Sequence, residues 1–445
     1  MTTSGGLGWP GIVRLGLAQS ALGAIVVLMT STINRVMVVE LALPALVPGL
    51  LVAAHYAVQI FRPAWGHGSD VGGGRTPWIL GGMATLALGA VGAAAGTALA
   101  ADSRLLGLAV ATAAFLLVGM GAGAAGTSVL ALLASRVAPG RRAAAASLVW
   151  MMMILGFAVS APLAGHFLDP FSNARLIEVT AAVSAAAFAL AALAVWGVEA
   201  AGPANVSAPS RDGASFAAAL REIWREPAVR RFTVFIVVSM LAYGAQELLI
   251  EPFAGLVFGM TPGATTKLAG LQHGGVLTGM IGVAVLATAV GGPALGSLRM
   301  WTIVGCAASA ASLAGVAASG LLGRGPDAFR ATVFALGLSN GVYAVAAIGS
   351  MMGLAGAGAR AREGIRMGVW GAAQAIAYGA GGLAATGFAD LGRSLGATPI
   401  VAYGLVFGLE AGLFLVATAL ARSGAPRLAR PAVAPAGGPA LTAQT

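Results

Sequence analysis

The sequence predicts an all-α polytopic membrane protein with 12 transmembrane helices arranged in two six-helix halves. Hydrophobic residues make up 58% of the chain and charged residues only 9%, a balance that an ordinary water-exposed surface does not have. Glycine supplies 66 of the 445 residues, which is typical of membrane helices that approach one another through small side chains. These observations exclude a soluble globular protein.

A helix of about 20 consecutive apolar residues is long enough to cross a bilayer. Apolar stretches of this length recur along the chain, and polar or charged residues separate them. The predicted spans of the first half are 16–40, 45–64, 77–100, 104–134, 147–168 and 176–197. Those of the second half are 232–257, 271–292, 300–322, 330–355, 368–389 and 399–421.

The longest polar interval, 198–231, divides the spans six and six, as in transporters whose halves are parallel repeats. The predicted segments are an N-terminal half (1–197), a cytoplasmic linker (198–231), a C-terminal half (232–421) and a disordered, Ala/Pro/Gly-rich tail (422–445). Apolar side chains recur at helical spacing in the linker: Phe216, Leu220, Ile223 and Trp224. They predict an amphipathic helix, either on the membrane surface or packed against the base of the bundle.

The basic residues predict the orientation of the chain in the membrane. With the N-terminus inside, 18 of the 25 Lys and Arg residues fall on the cytoplasmic side and 7 on or near the other side. Because cytoplasmic loops carry the excess of positive charge, we expect both termini in the cytoplasm. The same excess explains the net charge of +10, so the charge does not indicate that the protein binds nucleic acid. The single cysteine, Cys306, excludes a disulfide framework and a multi-cysteine metal site, and we predict no bound metal ion.

Ionisable and amide side chains stand inside two apolar spans that occupy matching places in the two halves. They are Asn34, Arg35 and Glu40 in the first span and Gln246, Glu247 and Glu251 in the seventh. Ionisable groups at membrane depth are costly and usually functional. Two interpretations remain open: Arg35 pairs with Glu247 or Glu251 and fixes helix packing, or a carboxylate takes up a proton and couples it to transport. Asn34 and Gln246 are candidates for a hydrogen bond across the same contact.

The loop after the second predicted span places an acid, glycines and an arginine at fixed spacing. It reads Gly66-His-Gly-Ser-Asp70-Val-Gly-Gly-Gly74-Arg75. Glycines allow a tight turn, and Asp70 is placed to accept hydrogen bonds from helix-end amides or to pair with an arginine. The loop resembles the Gly-x-x-x-Asp-x-x-Gly-Arg loop of the major facilitator superfamily. That resemblance implies that Asp70, Gly74 and Arg75 brace the cytoplasmic ends of neighbouring helices.

Longer motifs narrow the resemblance. They are residues 34–46 (NRVMVVELALPAL), 51–63 (LVAAHYAVQIFRP), 150–157 (WMMMILGF) and 246–253 (QELLIEPF). Together they resemble the bacteriochlorophyll delivery family of the major facilitator superfamily, the PucC and LhaA type proteins, over about residues 10–421. The resemblance implies the major facilitator fold, with two six-helix halves, in the inner (intracytoplasmic) membrane of a phototrophic bacterium.

The resemblance also implies a function. It implies a membrane factor for light-harvesting complex assembly, which binds or delivers bacteriochlorophyll to antenna polypeptides in the lipid bilayer; reaction-centre subunits and pigment-synthesis enzymes are further implied partners. We predict no enzymatic activity, because the sequence has no prenyltransferase-type DxxxD pair, no nucleotide loop and no nucleophile with a base. The alternative is a proton-coupled major facilitator exporter of a small apolar or amphipathic solute, for which the loop at 66–75 alone would suffice.

Histidines are the candidate pigment ligands. The central magnesium of bacteriochlorophyll takes one axial ligand, which an imidazole nitrogen or a held water can supply in an otherwise apolar pocket. His55 lies in the middle of the second predicted span, within a family-like motif, and is the first candidate. His273 begins the eighth predicted span and His166 ends the fifth, so these are the next two. A hydrogen-bonded interior or interfacial histidine is the alternative interpretation of each.

Overall fold

The computed structural model describes residues 6–62, 65, 69, 74–199, 224–287, 297–356 and 363–424. In these ranges the first half contains α1 (Trp9–Glu40), α2 (Leu46–Phe61), α3 (Thr76–Leu99), α4 (Arg104–Arg136), α5 (Arg142–Leu168) and α6 (Asn173–Val195). The second half contains α7 (Pro227–Phe258), α8 (Pro262–Val285), α9 (Leu298–Leu321), α10 (Pro326–Gly356), α11 (Glu363–Ser394) and α12 (Pro399–Gly424). Most of the predicted linker, with Phe216, Leu220 and Ile223, and nearly all of the predicted tail lie outside the described residues.

The helices have the dimensions of a membrane bundle. Ten of them are long and apolar enough to cross a bilayer, α2 is a shorter apolar helix, and α11 is 32 residues long. Across the described ranges the regular secondary structure is helical, without a strand. The predicted all-α, twelve-helix membrane fold is confirmed.

Helices α1 and α8 begin furthest ahead of their predicted starts, because polar residues at a helix start find partners inside the protein. Helix α8 begins at Pro262 and ends at Val285, whereas the predicted span was 271–292. Its first turn is capped by the Thr261 hydroxyl, which accepts from an amide of that turn and lets polar residues enter the helix. Helix α1 includes Arg14, whose Nε donates to the carbonyl oxygen of Ala194 at 3.0 Å.

Each half has its own apolar core, and the halves meet along two pairs of helices. In the second half the ring of Phe253 lies 5.3 Å from that of Phe407 and 5.8 Å from that of Phe329. Between the halves, α5 packs on α8 and α2 packs on α11, while the end of α1 contacts α7 and α8. In both contacts the fifth helix of one half packs on the second helix of the other half, as expected of two parallel repeats.

Helices α3 and α4 approach so closely that only glycine fits between them. A Cβ atom on Gly121 would lie 2.3 Å from the backbone nitrogen of Leu86 and 2.6 Å from the carbonyl oxygen of Gly82. Gly81, on the neighbouring face of α3, has open space where its Cβ would stand. The two glycines therefore provide a matched pair for testing this packing.

We expect Gly121→Ala to destabilise the protein and Gly81→Ala to leave it unchanged or slightly more stable. At Gly121 the new methyl group meets backbone atoms, which forces the helices apart at a cost of about 1–3 kcal/mol. At Gly81 the methyl group meets nothing, and alanine favours the helix by roughly 1 kcal/mol. Thermal unfolding of the two purified variants in the same lipid measures the difference. Equal melting temperatures would contradict the close packing of α3 on α4.

Candidate functional site

Polar side chains of α1 join the two halves at one end of the bundle. We call the end where α1 begins and α12 ends the proximal face, and the opposite end the distal face. Asn34 Nδ2 donates to the carbonyl oxygen of Leu248 in α7 at 2.8 Å. Arg35 Nη2 donates to the carbonyl oxygen of Met260, just after α7, at 2.6 Å. Both side chains are buried, so the two predicted residues connect the halves near the distal face through backbone oxygens.

The expected pairing of Arg35 with Glu247 or Glu251 is wrong, because Arg35 pairs with Glu40 of its own helix. Arg35 Nη1 donates to Glu40 Oε1, and the Glu40 side chain is 36% exposed at the distal end of α1. Helix α1 is π-helical over Val36–Glu40. In a π-helix, residues five apart lie one above the other, which brings Arg35 and Glu40 together.

Gln246 and Glu251 are buried in α7 with contacts that differ from those expected. Asn34 donates to Leu248 and forms no hydrogen bond with Gln246, whose two amide atoms have no partner among the described residues. Glu251 is 2% exposed and lies beside Ser31 of α1. Glu251 therefore faces α1 next to Ser31, and not in the pair with Arg35 that the sequence suggested.

Asp169, which follows α5, holds the start of α8. Its Oδ2 accepts from the Thr261 hydroxyl at 2.8 Å, and its Oδ1 accepts from the Gly263 amide at 3.2 Å. The N-terminal end of a helix carries unpaired amides and partial positive charge, so a carboxylate there is stabilising. This contact ties the first half to the second at the distal face.

Asp390 of α11 makes the matching contact with α2. Its Oδ1 accepts from the Ala45 amide at 3.0 Å and its Oδ2 from the Leu46 amide at 2.7 Å. Because α5 and α11 are the fifth helices of their halves and α2 and α8 the second, the two contacts are related by the symmetry of the repeats. We call Asp169 and Asp390 the distal clasps. Hydropathy analysis gave no signal for them, since their partners, backbone amides and the Thr261 hydroxyl, lie far away in the sequence.

Glu247, His273 and Tyr378 form a polar cluster between α7, α8 and α11. His273 lies well inside α8 and is 3% exposed, so it is not at a helix start as its predicted position had it. Its Nδ1 donates to the carbonyl oxygen of Ala269 at 2.8 Å. Its Nε2 lies 3.4 Å from Glu247 Oε1, and the Tyr378 hydroxyl donates to Glu247 Oε2. The structure thus brings together two predicted residues, Glu247 and His273, that the sequence assigned to different roles.

Aromatic rings of the first half cover this cluster. The ring of Tyr56 in α2 lies 5.1 Å from that of Tyr378, and the ring of Phe157 in α5 lies 4.7 Å from that of His273. The centroid distances are typical of favourable aromatic pairs. The cluster therefore belongs to the second half but is completed by the first.

An apolar cluster lies on the proximal side of these polar residues. Ile154 of α5 and Val276 and Met280 of α8 are buried there. The side chains packed around them are only partly buried: Trp150, Met151, Met153, Phe157, Leu277, Val345 and Ile348. Aromatic rings and flexible methionines form an adaptable apolar wall. The cluster therefore adds an apolar contact between the halves next to the polar one.

His55 has no free lone pair in this conformation. Gln59 Oε1 accepts from Arg62, which leaves the Gln59 amide nitrogen to donate to His55 Nε2 at 3.0 Å. His55 Nδ1 then carries the proton, and it is buried without a partner in the described part of the chain. A role for His55 as a magnesium ligand, which stays a prediction, requires the bond to Gln59 to break.

His166 lies on an exposed face of α5 near the distal end. The flanking side chains on this face are also exposed, with Leu163 at 57% and Phe167 at 62%. The imidazole ring meets the edge of the Phe167 ring at 5.2 Å, and neither ring nitrogen has a hydrogen bond among the residues that the structure describes. Of the three predicted ligands, His166 is the one with an available nitrogen.

The predicted loop motif contacts a residue that the sequence did not single out. Asp70 lies outside the described residues, but Gly74 and Arg75 are described. Glu199 Oε1 accepts from the Arg75 amide at 2.7 Å, and Glu199 Oε2 accepts from the Thr76 amide at 2.9 Å. Gly74 has φ +146°, and a Cβ atom there would lie 3.3 Å from Glu199 Oε2. Glu199 therefore caps the proximal end of α3 from the end of the first half.

An apolar cavity of about 620 Å³ opens on the outer side of α3 and α4. It is lined by Trp65, Pro77, Trp78, Gly81, Gly82, Thr85, Leu117, Met120, Gly121 and Ala124. Leu117 and Met120 are more than a third exposed, so the cavity is open to the surroundings of the bundle. Its lining offers no imidazole for a magnesium ion, and its chemistry suits an acyl chain.

We expect Glu199→Gln to lower stability at neutral pH and to lose this effect in acid. Burial alone would raise the pKa of Glu199, but the amides of Arg75 and Thr76 and the nearby Arg136 hold it below its usual value. An acid whose pKa is lower in the folded protein than in the unfolded chain stabilises the folded protein at pH values above its unfolded-state pKa. This stabilisation is lost as the pH falls through the folded-state pKa.

Thermal unfolding of wild type and Glu199→Gln, measured from neutral to acid pH, tests the expectation. The neutral-pH loss should be about 1 kcal/mol, the usual worth of a helix cap. Asp102→Asn, at an exposed site between α3 and α4, is the control and should change little. A Glu199→Gln effect that persists unchanged in acid would contradict the role of the charge.

We expect Asp390→Ala to let the distal ends of α2 and α11 separate. The variant lacks the carboxylate that accepts from the two amides, and we expect this to cost about 1 kcal/mol. A change of that size shifts the ratio of open to closed states about fivefold. Spin labels at the exposed positions Leu50 and Leu395, with Cys306 replaced by alanine, report the distance between these helix ends. The control is Asp327→Ala, whose carboxylate is 95% exposed and pairs within α10. Identical distance distributions for Asp390→Ala and wild type would show that Asp390 is no clasp.

The fold is shared with transporters of the major facilitator superfamily. A crystal structure of a bacterial homologue of the human lysosomal transporter Spinster superposes with a TM-score of 0.67 at 15% identity, covering 92% of this chain and 95% of the other. A mutant of the nucleoside transporter NupG gives 0.66 at 12% identity, covering 93% and 99%. At these identities the likeness establishes the fold alone.

Comparison with known sequences establishes the family. The chain is 52% identical to the protein of Rhodobacter capsulatus named bacteriochlorophyll synthase 44.5 kDa chain, over 93% of this chain and 95% of that one. It is 31% identical to protein PucC of Rhodobacter capsulatus, over 92% and 91% of the two chains. The family model described as PUCC protein matches residues 32–424. The chain therefore belongs to the PUCC protein family, with the major facilitator fold.

Proposed function

We propose that this protein is a membrane assembly factor for bacterial light-harvesting complexes, which binds or delivers bacteriochlorophyll to antenna polypeptides. The observation that carries the proposal is membership of the PUCC family over residues 32–424, with a relative 52% identical whose name refers to bacteriochlorophyll. The proposal places the protein in the inner (intracytoplasmic) membrane with both termini in the cytoplasm. Reaction-centre subunits and pigment-synthesis enzymes are proposed as further partners.

The proposed role is to handle pigment, and not to synthesise it. Support comes from the fold, since the described helices between Trp9 and Gly424 form a transporter-type bundle. Two buried ionisable groups where the halves meet also have structural partners: Arg35 is bound by Met260 and Glu40, and His273 by Ala269. Groups held in this way position helices, which is what a carrier or holder needs.

Within this proposal, His166 is the ligand of the pigment magnesium. His55 would first have to break its hydrogen bond to Gln59, and His273 its Nε2 contact with Glu247, whereas both nitrogens of His166 are available among the described residues. The exposed apolar side chains Leu163 and Phe167 beside it offer surface to a flat apolar ring. A pigment held there faces the bilayer, so an antenna helix can receive it laterally without entering the bundle.

We expect wild-type protein purified from a phototrophic host to carry near-infrared absorption, and His166→Leu to lose most of it. Leucine removes the magnesium ligand and keeps an apolar side chain, so the yield of folded protein should survive. His55→Leu is the matched control, because it removes a buried imidazole that the proposal does not use, and it should retain the pigment.

Three results would count against these statements. Wild-type protein without pigment, purified from a host that makes it, would contradict pigment binding. An unshifted, full-strength absorption band in His166→Leu would move the ligand elsewhere. Loss of the band in His55→Leu alone would restore the first candidate of the sequence.

A second candidate function is proton-coupled export of a small apolar or amphipathic solute. The observation that favours it is the buried contact between Glu247 and His273, because intramembrane acids are typical of coupled transporters. Uptake of an apolar dye into inverted vesicles, driven by an imposed proton gradient, would distinguish export from pigment handling.

A further inference from the structure

Lys267 is an exposed cation near the distal end of α8, and its ammonium group is available. It is the one lysine of the chain, and it lies in the second turn of the helix, which begins at Pro262. Arg14 and Arg299, by contrast, each donate to carbonyl oxygens at the end of a neighbouring helix. Among the residues that the structure describes, the Lys267 side chain has no hydrogen bond or ion pair. Its three donor hydrogens are therefore available to a ligand.

The stem of Lys267 packs on α5 directly beside His166. A Cβ atom on Gly165, the residue before His166, would lie 3.0 Å from Lys267 Cγ. Further from the distal face, a Cβ atom on Gly270 of α8 would lie 2.3 Å from Cδ of Pro162 in α5. The two helices therefore run antiparallel in close contact, with Lys267 opposite Gly165.

His166 and Lys267 lie on the same outward face of this helix contact. Each helix has a buried side, which faces the interior of the bundle, and an exposed side. The buried residues next to the pair are Ala164 and Leu168 on α5 and Leu268 and Ala269 on α8. The exposed ones are Leu163, His166 and Phe167 on α5 and Lys267 and Leu271 on α8. The imidazole of one half and the ammonium group of the other therefore flank the same exposed apolar surface.

The direction of the Lys267 side chain favours a ligand at this place. Helical side chains tilt toward the N-terminus of their helix, and α8 begins at the distal face, so Lys267 extends toward the level of His166. Asp169 lies at the same end, but it accepts from Thr261 and Gly263 and forms no ion pair with Lys267. The alternative partner of an exposed lysine near a helix end is a lipid headgroup, which the long stem can also reach.

A bacteriochlorophyll ring offers a separate partner to each of the two groups. In the proposed function, a nitrogen of His166 is the axial ligand of the central magnesium. The edge of the ring carries a keto oxygen, which can only accept hydrogen bonds. The lysine ammonium group is a donor on a flexible four-carbon stem, and a hydrogen bond from a charged donor is strong in apolar surroundings. Phe167 and Leu271 add exposed apolar surface for the ring itself.

We propose that Lys267 is the second contact of the pigment site at His166, and that its ammonium group donates a hydrogen bond to a carbonyl oxygen on the edge of the ring. The inference rests on the proposed function and deepens it. The site then selects a flat apolar ring that carries both a metal with a free axial position and a carbonyl group on its edge. Because His166 belongs to the first half and Lys267 to the second, such a pigment is held by both halves.

The first test compares bacteriochlorophyll with bacteriopheophytin, which keeps the ring and its keto oxygen but has no magnesium. The full-length protein in lipid nanodiscs is titrated with each pigment, and the pigment that stays bound is measured after gel filtration. Lys267→Met keeps an apolar stem and removes the donor, so it should weaken binding of both pigments about tenfold. His166→Leu should weaken binding of bacteriochlorophyll alone. Lys267→Arg, which keeps a charged donor, should bind both pigments nearly as wild type does.

The control for the first test is Arg324→Met, which removes one positive charge at an exposed position between α9 and α10, also at the distal face. It should bind both pigments as wild type does. Equal binding by Lys267→Met and wild type would overturn the inference and would leave Lys267 to the lipid headgroups. An equal loss in Arg324→Met would overturn it too, because a general effect of charge would then explain the result.

The second test detects the hydrogen bond itself. Resonance Raman spectra of bound bacteriochlorophyll report the stretching frequency of the keto carbonyl, which a hydrogen bond lowers. We expect a lowered frequency in wild type and Lys267→Arg, and the frequency of an unbonded carbonyl in Lys267→Met. A wild-type spectrum with an unbonded carbonyl would overturn the inference without the need for any variant to fold.

The outcomes separate this inference from the function on which it rests. Wild-type protein that binds neither pigment would contradict the proposed function and the inference together. Pigment that binds through His166, with an unbonded carbonyl and no effect of Lys267→Met, would contradict the inference alone.

Discussion

A polar group inside an apolar bundle is stable only if its partners are inside as well, and this constraint determines how the two halves meet. Arg35 satisfies it with the carbonyl oxygen of Met260, and Asn34 with that of Leu248. Each bond crosses from α1 to the end of α7 or to the residues that follow it. Because the acceptors are backbone atoms, the contacts fix the position of the helices and not merely of the side chains.

The distal clasps extend this closure to the other two helix pairs. Asp169 and Asp390 each place a carboxylate on the free amides of a helix in the opposite half, where its charge is favourable. The distal face is thereby closed by contacts on α1, α2 and α8. The partly buried apolar side chains between α5 and α8 lie on the proximal side of these contacts, where the halves meet through apolar side chains.

Local patterns in the sequence predicted the helices well, but they could not predict hydrogen-bond partners that are distant in the sequence. Apolar runs of sufficient length gave twelve spans because each is a property of its own residues. The start of α8 was misplaced because Thr265 and Lys267 look unfavourable until the cap at its start is known. The partners of Asp390 and Glu199 lie 344 and 124 residues away, and no local pattern marks them.

The sequence predicted which residues form the candidate site, but not which of them contact one another. Arg35 and Glu247 were recognised as costly intramembrane groups, but their pairing depends on helix geometry. A π-helical turn brings Glu40 to Arg35, and this leaves Glu247 free for His273. Hydropathy cannot distinguish an α-helical turn from a π-helical one, so the choice between partners was open.

Phe157 and Tyr56 show how far the polar cluster of the second half depends on the first half. Phe157 of α5 packs on the ring of His273, and Tyr56 of α2 packs on Tyr378, whose hydroxyl donates to Glu247. Phe157 also packs against the apolar cluster of Ile154, Val276 and Met280. Separation of α2 and α5 from the second half would therefore break both ring contacts and uncover the polar cluster. A pigment held at His166, on the exposed face of α5, would leave these contacts in place.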